Sequence, residues 1–197
     1  MVAASRAHLA SRPACPSLPP VNPPPRLPSS ASAGGGASGG LLKVRVVRGI
    51  NLAYRDARGS DPYVVLRLGK KKLKTSVKKR SVNPIWHEEL TLSVTNPNEP
   101  IKLEVFDKDT FSRDDPMGDA EIDVAPLLEV LHMDPEDIRN GAIIRSVPPS
   151  TKNCLADESH VCWRNGRFVQ DMILRLKNVE SGEIQLQLQW VNLPGSK

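Results

Sequence analysis

Cysteine is scarce in this chain: three in 197 residues, Cys15, Cys154 and Cys162, an odd number with no CxxC pair. That excludes a secreted disulfide framework and a zinc ribbon, and points to a reducing compartment. Long apolar runs are missing too. Val64-Val65-Leu66 and Ala142-Ile143-Ile144 are typical of what there is, far below the roughly 18 to 20 residues a bilayer-spanning helix needs. Residues 1–40 hold no Asp or Glu, carry Arg6, Arg12 and Arg26, and are otherwise mostly Ala, Ser, Pro and Gly. Such a stretch cannot bury enough apolar surface to offset ordering, so a disordered tail is expected. An organelle transit peptide is the alternative, and the prolines would break the Arg-bearing helix it requires. Val2 excludes myristoylation, and the closing Pro194-Gly195-Ser196-Lys197 is no prenylation box.

Catalytic constellations are equally absent. His8, His87, His132 and His160 stand in the tail, at a strand start and in a long connection, with no serine elbow and no recognisable Cys-His pair. Cys154 with His160-Val161-Cys162 fits no common zinc spacing. The glycine run at 34–40 precedes a strand and is a flexible linker, not a phosphate-binding loop.

What the chain does have is alternation. Leu42, Val44 and Val46 fall on one face with Lys43 and Arg45 on the other; Ile184, Leu186, Leu188 and Trp190 alternate with three glutamines. This is the signature of strands with one buried and one wet face. Further strands are expected at 61–68, 72–77, 88–94, 101–107, 119–124 and 168–176, bounded by Gly, Pro or Asn. Eight short strands at this spacing make an all-β sandwich or barrel. Residues 125–167 break the rhythm with a short helical pattern (Leu127, Leu128, Leu131) and then a polar run. A connection that long is disordered or functional.

Two stretches concentrate carboxylates at strand ends: Asp56-Ala57-Arg58-Gly59-Ser60-Asp61-Pro62-Tyr63, and 107–118 with Asp107, Asp109, Asp114 and Asp115. Calcium takes six to eight oxygens in flexible geometry, which loops between strands can supply. Aspartates also favour turns for purely local reasons. An EF-hand fails on register: with Asp107 first, Ser112 falls where glycine belongs and Gly118 where the bidentate glutamate belongs.

Ser60-Asp61-Pro62-Tyr63-Val64, Asn83-Pro84-Ile85-Trp86-His87-Glu88, and Val105-Phe106-Asp107-Lys108-Asp109 with Asp115 and Met117-Gly118 together resemble the C2 domain. That resemblance implies an eight-stranded antiparallel β-sandwich with calcium-binding loops at one end, here in the permuted type II topology, because the first ligand loop follows the first strand. The long insert, Ile173-Leu174-Arg175-Leu176 and Gly182-Glu183-Ile184-Gln185-Leu186 narrow it to the plant C2-domain abscisic-acid-related proteins, over residues 41–197. By position the resemblance makes Asp56, Asp61, Asp107, Asp109 and Asp115 the Ca²⁺ ligands. Backbone carbonyls of Arg55 and Lys108 are further candidates, and Asp114 is one place off the pattern. It further implies recruitment of abscisic acid receptors to the plasma membrane, with cytoplasmic and nuclear pools, and in some relatives stimulation of a YchF-type GTPase. The protein is thus expected to be a non-catalytic adaptor, with the insert as first candidate for receptor contact, or else as packing over a sheet edge.

Charge is uneven. Between Pro62 and His87 there is no acid, yet Arg67, Lys70, Lys71, Lys72, Lys74, Lys78, Lys79 and Arg80 are present; from Glu104 to Asp123 eight acids face only Lys108 and Arg113. An acidic pole that binds cations, meeting an anionic membrane, would act as an electrostatic switch. Arg55 and Arg58 are then candidates for headgroup contact and Phe111 for a wedge into the interface, with packing inside its own loop as the alternative. Lys70, Lys71, Lys72 and Lys74 form a basic strip suited to an anionic lipid. A nuclear import signal is the rival; nucleic acid is disfavoured, since aromatics are 4% of the chain and none interleaves the strip.

Overall fold

A computed structural model describes residues 39–55, 59–96, 98–134 and 138–192. The tail expected over 1–40 therefore lies outside the described residues except for Gly39 and Gly40, and so do Asp56 and Arg58 of the first acidic stretch. Among the described residues, ten strands and one helix follow in order: β1 (Gly40–Ile50), β2 (Pro62–Leu68), β3 (Lys71–Lys74), β4 (Ile85–Val94), β5 (Ile101–Asp107), β6 (Asp115–Ile122), α1 (Ala125–Val130), β7 (Ile143–Val147), β8 (Ser159–Arg164), β9 (Arg167–Arg175) and β10 (Glu183–Asn192).

They form two antiparallel sheets, one of six strands in the order β4-β1-β10-β9-β8-β7 and one of four in the order β3-β2-β5-β6. The alternating residues become the core. Leu42, Val44 and Val46 of β1 and Ile184, Leu186 and Leu188 of β10 are all but completely buried, and so are Val64 and Leu66 of β2 and Leu103 and Val105 of β5. An irregularity between Val46 and Arg48 shifts the register of β1 against both neighbours, as an extra residue in one strand does. Because β1 pairs with the last strand and opens directly into the first acidic loop, the order agrees with the permuted topology.

The expected eight strands are present, with ends moved by a few residues, and the insert adds two more. β8 pairs with β9 and β7 with β8, so the 125–167 segment extends the larger sheet. Period-two reading misses β8 because Val161 and Cys162 are adjacent and both buried; a strand covered on both faces shows no alternation. β7 is a sheet edge whose Ile143 is exposed, and edge strands carry little pattern. The helical start of the insert is real but only six residues long, with Pro126 in its first turn and Leu127 and Val130 buried. Proline fits there, where the first amides have no partner inside the helix.

Candidate functional site: an acidic pole of four loops

Four connections meet at one end of the sandwich: 51–61 (β1 to β2), 75–84 (β3 to β4), 108–114 (β5 to β6) and 176–182 (β9 to β10). Hydrogen bonds lace them together. Asp107, the last residue of β5, is 1% exposed, and its Oδ1 accepts from the Asp61 amide at 2.6 Å. Asp61 Oδ1 in turn accepts from the Arg80 amide at 2.8 Å, while the Lys108 amide donates to the Asp61 carbonyl at 3.0 Å. Asp115 stands opposite Asp107 in the β5–β6 ladder. A carboxylate this deep needs donors around it, and here the first loop supplies one from its backbone.

The third loop is organised by a residue the sequence pattern sets aside. Asp114 accepts from the Tyr63 hydroxyl at 2.6 Å, from the Lys108 ammonium at 2.8 Å and from the Asp109 amide at 3.2 Å. These donors, Lys108 first and Tyr63 second, hold its pKa down to about 2. Tyr63 shifts the other way, up to about 12, mainly through burial and then through its bond to Asp114; its ring stacks on Phe106 at 5.8 Å. A carboxylate depressed in the folded state contributes stability that is fully present above its unfolded pKa of 3.8 and is lost as pH falls toward about 2. Asp114→Asn is expected to flatten this part of the acid-unfolding profile, read as thermal midpoint against pH.

Arg55 is a candidate ligand through its carbonyl, yet its side chain has its own work. Its guanidinium donates to both carboxylate oxygens of Glu180, at 2.7 and 3.1 Å, to the Pro116 carbonyl at 3.1 Å and to the Tyr54 carbonyl at 3.2 Å. Three segments of the pole are thereby joined through one side chain, and the pair raises the pKa of Arg55 and lowers that of Glu180. No sequence signal links residues 125 positions apart. Within 177–182, Asn178 and Gly182 mark only a turn.

Phe111 is fully exposed at the tip of the third loop, and Tyr54, beside Arg55, is 67% exposed. Packing of Phe111 within its own loop is thus excluded, and Tyr54 is a second projecting aromatic that alternation could not single out. The basic strip, by contrast, divides. Lys70, Lys71, Lys72 and Lys74 are all exposed, but β2 leads away from the pole before the chain turns at Gly69. Seven residues of strand put Lys70 and Lys71 roughly 20 Å from the acidic loops. Only Lys78, Lys79 and Arg80 return to the pole, where the Lys78 amide donates to the Pro62 carbonyl.

In kind, Asp61, Asp107, Asp109 and Asp115 suit a hard cation, since every side-chain donor is an oxygen. In number, the described residues assemble no cluster of three or more His, Cys, Asp or Glu able to hold a metal ion; Asp56, the fifth candidate ligand, lies outside them. Among the described residues no helix is long and apolar enough to cross a membrane.

Comparisons with known proteins converge on this architecture. The C2 domain family model matches residues 40–138. The chain is 56% identical over 158 residues to Protein C2-DOMAIN ABA-RELATED 3 of Arabidopsis thaliana, covering 80% of this chain and 94% of that protein. It is equally 56% identical over 158 residues to GTPase activating protein 1 of Oryza sativa subsp. indica, covering 80% and 95%. Among solved structures, the calcium-bound tandem C2 domains of Extended-Synaptotagmin 2 superpose with a TM-score of 0.53 at 24% identity, covering 78% of this chain and 46% of that one. A single C2 domain of plant Extended Synaptotagmin 1 gives 0.52 at 20%, covering 78% and 95%. At such identities the structures speak for the fold alone.

Proposed function

Because the chain belongs to the C2-domain family, and within it to the C2-domain ABA-related proteins, we propose that it is a calcium-dependent phospholipid-binding adaptor. In this reading it brings abscisic acid receptors to the plasma membrane. The observation that carries it is the bond from the Asp61 amide to the buried Asp107 carboxylate, which ties the first loop to the third, with Asp115 opposite Asp107 and Asp109 in the same loop, beside the exposed aromatics Phe111 and Tyr54. Asp56, Asp61, Asp107, Asp109 and Asp115 would hold Ca²⁺, which when bound supplies positive charge and open positions for phosphate oxygens. Asp107 and Asp61 orient the first loop against the third, Asp114 restrains the third from within, and Phe111 and Tyr54 enter the interface. Lys70, Lys71, Lys72 and Lys74 stand away from the pole. They favour a tilted approach, or a second anionic partner, over simple addition to the loop contact.

A second reading rests on the rice relative named GTPase activating protein 1: stimulation of a YchF-type G protein by an arginine offered in the complex. Arg145 pairs with Glu129, and Arg164 with Asp171 at 2.7 Å, so the exposed Arg139 and Arg167 are the better candidates. In both readings the insert is where a protein partner would dock, on β7, β8 and the connection between them.

The test is co-sedimentation with phosphatidylserine vesicles in calcium and in chelator, comparing wild type with Asp107→Asn/Asp109→Asn, which keeps side-chain shape. Wild type is expected to pellet with calcium only, and the variant to lose most of that binding. Pelleting indifferent to both calcium and the substitutions contradicts the calcium reading and moves lipid contact to the lysine strip.

A further inference from the structure

The contact between Arg55 and Glu180 has the form of a bound ligand. Both carboxylate oxygens meet the guanidinium fork, at 2.7 and 3.1 Å, in the parallel arrangement by which arginine also takes a phosphate. The two ends are unequally anchored. Arg55 is held by three contacts independent of Glu180: its Nε to the Pro116 carbonyl, its NH1 to the Tyr54 carbonyl and its amide to the Ser60 hydroxyl at 2.9 Å. Its side chain is 24% exposed against 61% for Glu180. Beyond a bond from its own amide, the Glu180 carboxylate is held among the described residues by the Arg55 guanidinium alone. If the carboxylate swings out, the fork stays in place, facing outward next to the projecting ring of Tyr54.

We propose that Glu180 is an internal stand-in for a lipid phosphate: it occupies Arg55 in the free protein and is displaced when an anionic headgroup reaches the pole. This rests on the lipid-binding reading above and adds to it a built-in brake. The clasp keeps one preformed phosphate fork closed, so that binding before calcium is weaker than the charge of the loops alone would allow. An exposed pair suits such a role because its own net contribution to folding is small and the exchange trades one bidentate partner for another. Asp107 and Asp115 lie close enough to act on Arg55 electrostatically. Neutralising them lowers the repulsion that an incoming phosphate meets at the fork, which links headgroup binding there to the cation site.

The experiment uses full-length protein and vesicles of phosphatidylcholine with or without phosphatidylserine, in chelator and in calcium, for wild type, Glu180→Gln, Arg55→Gln and the double variant. Glu180→Gln is expected to raise binding to phosphatidylserine vesicles in chelator by about fivefold, the worth of one released cationic side chain near an anionic surface. The gain should vanish in Arg55→Gln/Glu180→Gln and be absent on pure phosphatidylcholine. A gain of the same size with Arg55 already replaced would mean net charge alone is responsible and overturns the clasp, as does no gain. Should Glu180→Gln unfold, Glu180→Asp keeps the charge but is too short to meet the fork with both oxygens, and must show the same increase. Wild type run in both buffers separates the two levels. If wild type shows no calcium-dependent binding, the calcium reading fails, and if it pellets in neither buffer the lipid reading fails with it; if wild type binds with calcium and Glu180→Gln matches it in chelator, only the clasp fails.

Discussion

Replacing Phe111 by alanine is expected to leave the thermal unfolding transition where it is and to weaken calcium-dependent binding to phosphatidylserine vesicles by about tenfold or more. The first half follows from exposure. A side chain 102% exposed makes no packing contribution to lose. The second follows from area, since full burial of a phenylalanine is worth roughly 1.5–3 kcal/mol, and each 1.4 kcal/mol is about tenfold in affinity. Phe168 is the internal contrast. It is 7% exposed and lies against Trp163 with ring centroids 4.7 Å apart, so Phe168→Ala should cost about 3–5 kcal/mol of stability. An equal loss of stability in Phe111→Ala, or unchanged vesicle binding, would remove Phe111 from the interface.

Gly118→Ala should be the most damaging single-methyl change at the pole, at about 2–4 kcal/mol. Gly118 has φ +101°, and a Cβ there would fall 2.6 Å from Val179 Cγ1, 2.9 Å from the Lys177 carbonyl oxygen and 3.0 Å from Leu176 Cβ. A side chain can rotate away; the Lys177 carbonyl cannot, because it accepts from the Asp119 amide at 3.1 Å while the Asp119 carbonyl accepts from the Lys177 amide at 2.7 Å. The same turn carries Glu180, so the damage should spread to the Arg55 clasp. Gly141 has a similar φ of +87° but nothing within 4 Å of its added Cβ. Gly141→Ala therefore isolates the backbone component, about 1 kcal/mol. Thermal midpoints of the two variants measure the difference; equal midpoints would mean that the 177–182 turn yields to the added methyl at no cost.

Much of the sandwich is legible in the sequence because β1, β5 and β10 bury one face and wet the other, so Leu42, Leu103 and Leu186 announce themselves by spacing. β8 is not, since burial on both sides of Val161 and Cys162 erases the period on which the reading depends. At the pole, aspartates stand out by composition, and Asp61 and Asp107 do come together. What composition cannot convey is who partners whom. Asp114 outranks its neighbours as an organiser of the loop only because Tyr63, on another strand, points its hydroxyl there. Glu180 matters only because the chain returns to Arg55 after 125 residues. The lysine strip shows the opposite failure: residues contiguous in sequence are carried away from the pole by the direction of β2 and β3.

The central claim is that the acidic pole is a calcium site, and the direct measurement is a calcium titration of the isotopically labelled protein followed by amide NMR shifts. Saturable changes concentrated at 54–61, at 107–115 and at Arg80, whose amide bonds to Asp61, are the predicted result. No saturable change, or changes centred on Lys70 and β3 with the pole silent, would contradict it.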